Sequence, residues 1–234
     1  MTVPQYTIAV GGIDTDAGKS VVTGLLARHL LDQGKAVTTL KLVQTGCTGM
    51  AEDIVQHRRL MGQALTDWDR DGTTCPYVFP FPASPLLAAR LAGAEIDTAV
   101  LDRSIETLRQ RHEWLLVEAA GGLLVPLQEH LVLLDYLAAK QLPLILVTSP
   151  RLGSINHTRL SLEALRTRAV PLVGLVYNLH GDHPREIVQD TLVECRKALA
   201  DYGFAPNLVI LPDLAESSAA AWPVLVNAAR SLCA

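Results

Sequence analysis

Short apolar runs alternate with stretches of helical periodicity along this chain of 234 residues. Residues 6–10, Tyr-Thr-Ile-Ala-Val, predict a first strand. Residues 21–31 place apolar side chains at helical spacing, and Gly34 follows where a C-cap glycine belongs. The pattern continues with a strand over 36–43 and helices over 53–60, 86–91 and 98–111. Residues 72–85, rich in Pro and small side chains, read as a loop. Further strands are predicted at 114–117, ending at Glu118, and at 144–147, 172–177 and 208–210. Helical segments at 131–140, 155–168 and 185–199 lie between them.

Strands that are apolar on both faces, alternating with helices, predict an α/β fold whose mostly parallel sheet carries helices on both faces. No shift in composition and no repeat divides the chain, so residues 1–234 read as one domain. Ligands of such sheets bind beyond the carboxyl ends of the strands. The notable polar clusters all follow predicted strands: 11–20, 41–46, 118–122, 149–157 and Asn178.

Composition narrows the classes of function. Hydrophobic residues make up 49% of the chain, yet no run of about 18 apolar residues is free of charged or strongly polar groups, so no membrane span is expected. The first residues lack the basic flank and apolar stretch of a signal peptide, and a cytoplasmic location is the expectation. Net charge is −4 with no stripe of Lys or Arg, which argues against a nucleic-acid partner. The densest basic spot, His57-Arg58-Arg59, is expected on a solvated helix face. Cys47, Cys75, Cys195 and Cys233 form no C-x-x-C pair and read as reduced structural thiols.

The sharpest motif is Gly12-Ile13-Asp14-Thr15-Asp16-Ala17-Gly18-Lys19-Ser20, between a strand and a helix. Backbone N–H groups of such a loop cradle a polyphosphate, a lysine neutralises its terminal phosphates, and a hydroxyl serves Mg²⁺. Five residues separate Gly12 from Gly18-Lys19, one more than in the common phosphate loop. Lys41 opens the cluster 41–46 that follows the second strand; a lysine at a strand's end can steady developing negative charge or simply be solvated. Glu52 and Asp53 open a helix, which the helix dipole alone would favour. Glu118 closes a strand before Gly121-Gly122 and suits Mg²⁺ held at a sheet edge. Ser84-Pro85 can begin a helix, with Ser84 as its cap. Ser154 and Asn156 are ordinary helix-start residues, and Asn178 suits either a turn or a purine edge.

Taken together, these motifs resemble those of the dethiobiotin synthase family along nearly the whole chain. The loop is similar to that family's Gly-x-Asp-Thr-x-x-Gly-Lys-Ser/Thr. Residues 41–46 resemble its Lys-Pro-Val-x-Ser/Thr-Gly, with Leu42 in place of proline. Residues 117–122 resemble Val-Glu-Gly-Ala-Gly-Gly, with Ala119 in place of glycine, and residues 152–157 resemble Leu-Gly-x-Ile-Asn-His. The resemblance implies a P-loop NTPase-like fold and formation of a cyclic urea from 7,8-diaminopelargonic acid, CO₂ or bicarbonate, and ATP. It implies Asp16, Ala17, Gly18, Lys19, Ser20, Glu118 and Gly121 around the phosphates, and Asn178, Pro212 and Glu216 around the base. Ser20, Asp53 and Glu118 are implied to hold Mg²⁺. Lys19, Lys41 and Thr15 are implied to serve the chemistry, with Thr45 and Ser84 also at the substrate. Gly153, Ser154 and Asn156 are implied to reach the tail carboxylate bound in the neighbouring subunit of a homodimer.

Two rival functions fit parts of the same pattern. A P-loop amide ligase such as a cobyrinic-acid amide synthase carries a glutaminase domain, for which this chain is expected to be too short. A partitioning or cell-division ATPase carries a signature lysine early in its loop, where this chain has residues 13–16, Ile-Asp-Thr-Asp. Such ATPases often end in a basic amphipathic helix, whereas residues 218–234 hold one arginine and no lysine.

Overall fold

The computed structural model describes residues 5–214 and 220–233. Along the chain its strands are β1 (Tyr6–Gly12), β2 (Val37–Lys41), β3 (Gln44–Thr45), β4 (Val78–Phe79), β5 (Trp114–Gly122), β6 (Pro126–Gln128), β7 (Leu131–Val132), β8 (Leu144–Thr148), β9 (Leu172–Asn178) and β10 (Leu208–Leu211). The helices are α1 (Lys19–Asp32), α2 (Glu52–Met61), α3 (Asp67–Arg70), α4 (Pro85–Leu91), α5 (Thr98–Arg109), α6 (Leu133–Ala139), α7 (Ser154–Thr167), α8 (Arg185–Asp201) and α9 (Trp222–Cys233).

Six strands form one sheet in the order β10-β9-β8-β1-β5-β2, with every pairing parallel. Every residue of β2, β8 and β9 is buried, which requires cover on both faces of the sheet. Helices α1 and α2 pack together near β2, α5 packs on β5, and α9 lies against β1, β9 and β10. Strand β1 is central, and the chain moves from it to β2 on one side and later to β8 on the other. The crevice beyond its carboxyl end is the switch point at which such sheets bind ligands.

The periodicity located the sheet and most helices, and the differences have local causes. The second strand stops at Lys41 rather than Val43, and β3 then pairs with β4 inside the stretch read as a loop. Strand β5 runs on to Gly122, because Glu118, Ala119 and Ala120 stay buried beside β1. Residues 131 and 132 pair with β6 before α6 begins, so the helix expected from 131 is shorter. Helix α5 ends at Arg109 rather than 111. Short α3 is fixed by a capping box between Thr66 and Asp69, and amphipathic α9 buries Trp222, Leu225, Val226 and Ala229. Neither helix was expected from the sequence.

Candidate active site

Gly18 opens α1 in the left-handed region, at φ 97°. A Cβ here would stand 2.2 Å from Asn178 Nδ2, so glycine is required by both backbone and packing. Asn178, at the end of β9, is buried and donates from Nδ2 to Ala17 O at 3.1 Å. Its Oδ1 accepts from the His180 N–H at 3.2 Å. The side chain proposed for a base edge therefore braces the back of the phosphate loop. Asp16 also has a positive φ, 57°, which Asp tolerates better than most residues.

Lys19 is buried at the first turn of α1, and its Nζ donates to Asp14 O at 2.9 Å. Burial and the nearby Lys41 ammonium lower its pKa to about 8. Ser20 Oγ lies 2.9 Å from Asp53 Oδ1 and 2.9 Å from Glu118 Oε1. Lys41 Nζ stands 2.7 Å from Asp53 Oδ2 and 2.7 Å from Glu118 Oε1, and donates to Ala119 O at 3.2 Å. Burial opposes charge on both Lys41 and Glu118, but their mutual attraction prevails. The Lys41 pKa is raised, and Glu118 is held well below the usual carboxylate range.

Two carboxylates and a hydroxyl are hard oxygen donors, the chemistry Mg²⁺ requires. Among the described residues, no group of three or more His, Cys, Asp or Glu side chains is placed to hold a metal. That sparse donor set fits Mg²⁺, which keeps waters and takes further ligands from phosphates.

Thr15, Asp16, Gly18, Lys19, Ser20, Lys41, Thr45, Asp53, Ser84, Glu118 and Gly121 line one cavity of about 660 Å³. All of these were expected at the site, and they come from five segments of the chain. Ser84 makes no capping hydrogen bond at α4, so the cap expected of it is absent, although Pro85 does open that helix. Ala17 is buried behind the loop. Pro212 lies in a separate groove with Leu179, His183 and Asp213, and Glu216 lies outside the described residues.

The residues expected at a substrate tail lie elsewhere. Gly153 and Asn156 are exposed at the start of α7, and Ser154 is buried with its hydroxyl unbonded. None of the three lines the 660 Å³ cavity. A second, more apolar groove of about 480 Å³ adjoins at Thr15 and includes Ile13, Leu123, Leu124, His157 and Leu160. Asp14, also in that groove, pairs with Arg151 at 2.6 Å.

The sequence reading also misplaced one cluster. His57 and Arg58 are not on a solvated face: they are 0% and 2% exposed. Arg58 makes a bidentate pair with Asp69, at 2.9 and 2.8 Å. His57 Nε2 lies 2.6 Å from Glu118 Oε2. Its position four residues after Asp53 was the available signal, since helical spacing places both on one face.

A phosphate loop on a central parallel strand, with a lysine and Mg²⁺-competent oxygens at the sheet edge, defines a P-loop nucleoside-triphosphate-binding protein of the α/β class. Comparison with known proteins narrows this. The family model described as AAA domain matches residues 6–221. The chain is 48% identical over 216 residues to the ATP-dependent dethiobiotin synthetase BioD of Chlorobaculum tepidum, covering 92% of this chain and 90% of that one. It is 45% identical over 182 residues to BioD 2 of Haemophilus influenzae, covering 78% and 95%. It is 45% identical over 198 residues to BioD 2 of Pasteurella multocida, covering 85% and 92%. The chain belongs to the ATP-dependent dethiobiotin synthetase family.

Proposed function

We propose that residues 1–234 form a single-domain ATP-dependent cyclo-ligase that makes dethiobiotin in biotin synthesis. Its substrates in this reading are 7,8-diaminopelargonic acid, CO₂ or bicarbonate, and ATP. The observation that carries the reading is the convergence of Lys19, Ser20, Lys41, Asp53 and Glu118 in one cavity that also includes Thr15, Thr45 and Ser84. Such a cavity suits phosphoryl transfer, which needs positioning and charge compensation more than a covalent nucleophile.

The loop from Asp16 to Ser20, with Gly121 opposite, would take the phosphates of ATP. Asn178, Pro212 and Glu216 are proposed on the side of the base, Asn178 acting also as the brace described above. Ser20, Asp53 and Glu118 would hold Mg²⁺, which when bound neutralises charge on the phosphates. Thr15, Lys41, Thr45 and Ser84 would position the diamine end of the substrate. One amine takes up CO₂ with loss of a proton to form a carbamate, and a carbamate oxygen attacks the γ-phosphate, breaking its bond to the β–γ bridging oxygen and releasing ADP. The second amine then closes the five-membered urea and releases phosphate. Lys19 and Lys41 compensate the charge that moves through these steps.

The tail of the acid would be met by Gly153, Ser154 and Asn156 of a second copy. Support comes from their position outside the phosphate cavity, from Leu152 at 92% exposure, and from the adjoining apolar groove. This reading makes the active unit a homodimer with shared sites. It also places the protein in the cytoplasm, in keeping with four cysteines that form no disulfide.

The test is mass detection of dethiobiotin after mixing the protein with diaminopelargonate, bicarbonate and Mg-ATP. Product that requires all three supports the reading. ATP hydrolysis indifferent to the diamine overturns it.

A further inference from the structure

The buried polar groups behind Glu118 belong to no step proposed above. His57 sits on α2, one turn beyond Asp53, and is fully buried. Its Nε2 is 2.6 Å from Glu118 Oε2, and its Nδ1 is 3.0 Å from Thr39 Oγ1. Thr39, on β2, is also fully buried, and Arg58 Nη1 donates to the same Oγ1 at 2.9 Å. Arg58 is fixed in turn by Asp69, which Thr74 Oγ1 also meets at 2.8 Å.

The hydrogen-bonding roles along this chain can be assigned. A guanidinium can only donate, so Thr39 Oγ1 accepts from Arg58. The Thr39 hydroxyl proton then needs an acceptor in a site closed to solvent, and His57 Nδ1 is in reach. An ionised Glu118 can only accept, so Nε2 carries the hydrogen that Oε2 accepts. The other carboxylate oxygen, Oε1, is left to Lys41 and Ser20. The imidazole thus fixes which oxygen of Glu118 turns toward the cavity.

We propose that His57, braced by Thr39 and donating from Nε2, is a positioning residue that orients the Glu118 carboxylate for Mg²⁺. The proposal rests on the reading of Glu118 as a metal ligand. An imidazole is well suited to the task because it is rigid and spans from β2 to β5. A carboxylate with a free torsion would instead rotate between Lys41 and the metal, and outer hydrogen-bond partners of metal ligands commonly carry about 10–100-fold in affinity or activity.

The experiment compares His57→Gln, His57→Asn and His57→Leu, with Glu118→Gln as the reference. A glutamine places an amide N–H near the position of Nε2, whereas an asparagine reaches only the Thr39 side, and leucine offers neither contact. Mn²⁺ affinity is read by electron paramagnetic resonance with a non-hydrolysable ATP analogue present, alongside thermal unfolding without metal or nucleotide. The expected result is Mn²⁺ binding weakened about 10–100-fold by Asn and Leu, with recovery to within a few-fold of wild type by Gln. If Leu does not fold, the Gln and Asn pair decides, since both are polar. Equal Mn²⁺ affinity in Gln and Asn, with loss confined to unfolding temperature, shows a role in packing only and overturns the proposal. So does wild-type Mn²⁺ affinity in all three His57 variants when Glu118→Gln binds weakly. If Glu118→Gln itself binds Mn²⁺ normally, the metal reading fails, and the proposal falls with it.

Discussion

Lys41 and Glu118 are register partners on adjacent parallel strands, and their side chains meet at 2.7 Å at the carboxyl edge of the sheet. They are 77 residues apart in sequence, so only the pairing of β2 with β5 brings them together. Both are buried, and each keeps the other ionised against the cost of leaving water. Asp53 completes the arrangement from α2, bridged to Glu118 through both Lys41 and Ser20.

Lys41→Met should therefore act on folding and chemistry together. It leaves Glu118 buried without its cation, and breaking such a pair costs about 3–5 kcal/mol. Urea unfolding should show that loss, and product formation should fall by about 100-fold or more in conditions where the variant remains folded. A variant as stable and active as the parent would contradict the charge assignment.

Lys19→Ala should separate the two effects. Its Nζ donates to the Asp14 carbonyl, a single bond to a neutral acceptor, so its removal should change the unfolding free energy by about 1 kcal/mol or less. Loss of an electrostatic contact to a transferring phosphoryl group costs about 10²–10³-fold in rate. Dethiobiotin formation near the parent's rate would sink the role of this loop in phosphate chemistry.

Asp53→Ala should raise the Mg²⁺ concentration needed for half-maximal activity. The reason is geometric: Asp53 Oδ1 shares Ser20 Oγ with Glu118 Oε1, at equal distances of 2.9 Å. An unchanged Mg²⁺ titration would return Asp53 to the plain role of an acidic residue at a helix N-terminus.

The strands and the phosphate loop were legible in the sequence because their signals are local: period, apolar runs, and glycine followed by Lys19 and Ser20. Asp53 was legible only by resemblance, since an acid opening a helix is common, whereas Glu118 was also legible from its place at the end of an apolar strand near the phosphate loop. The burial of His57 and Arg58 was not legible from composition. Their environment depends on Thr38, Thr39 and Asp69, and no local pattern reports that these surround a helix face. Helix α9 has helical spacing of its own, but its apolar face gains meaning only against β1, β9 and β10. The bracing of the loop by Asn178 joins residues 161 apart, beyond the reach of any motif.

Acid should expose the structural pair behind the site. Burial raises the Asp69 pKa, but hydrogen bonds from Arg58, Thr66 and Thr74 outweigh it and hold the folded value below 3.8. A lowered folded pKa means that the unfolded chain binds the proton more readily, so the stabilisation is present above pH 3.8 and is lost as pH falls through the folded value. Asp69→Asn removes the charge at every pH. The difference in unfolding free energy between parent and variant should be about 3–5 kcal/mol at neutral pH and should shrink below about pH 4. Parallel stability curves down to pH 2 would contradict this.

Gly153, Ser154 and Asn156 start α7 outside the cavity that holds Lys19, and Asn156 is exposed. If these residues serve a partner's substrate, two defects on different chains can complement each other. Lys19→Ala removes phosphate chemistry from its own site, and Asn156→Asp places a negative charge where a carboxylate tail should bind. In a heterodimer of these variants, one site would combine the intact loop of one chain with the intact α7 of the other. The second site would collect both defects. Co-expression with two different tags and sequential purification yields that heterodimer. Dethiobiotin formation should approach half the wild-type rate, while each parental homodimer stays inactive. If Asn156 acted only within its own chain, each site of the heterodimer would retain one defect. A heterodimer as inactive as its parents, with assembly verified, would exclude sharing through Asn156.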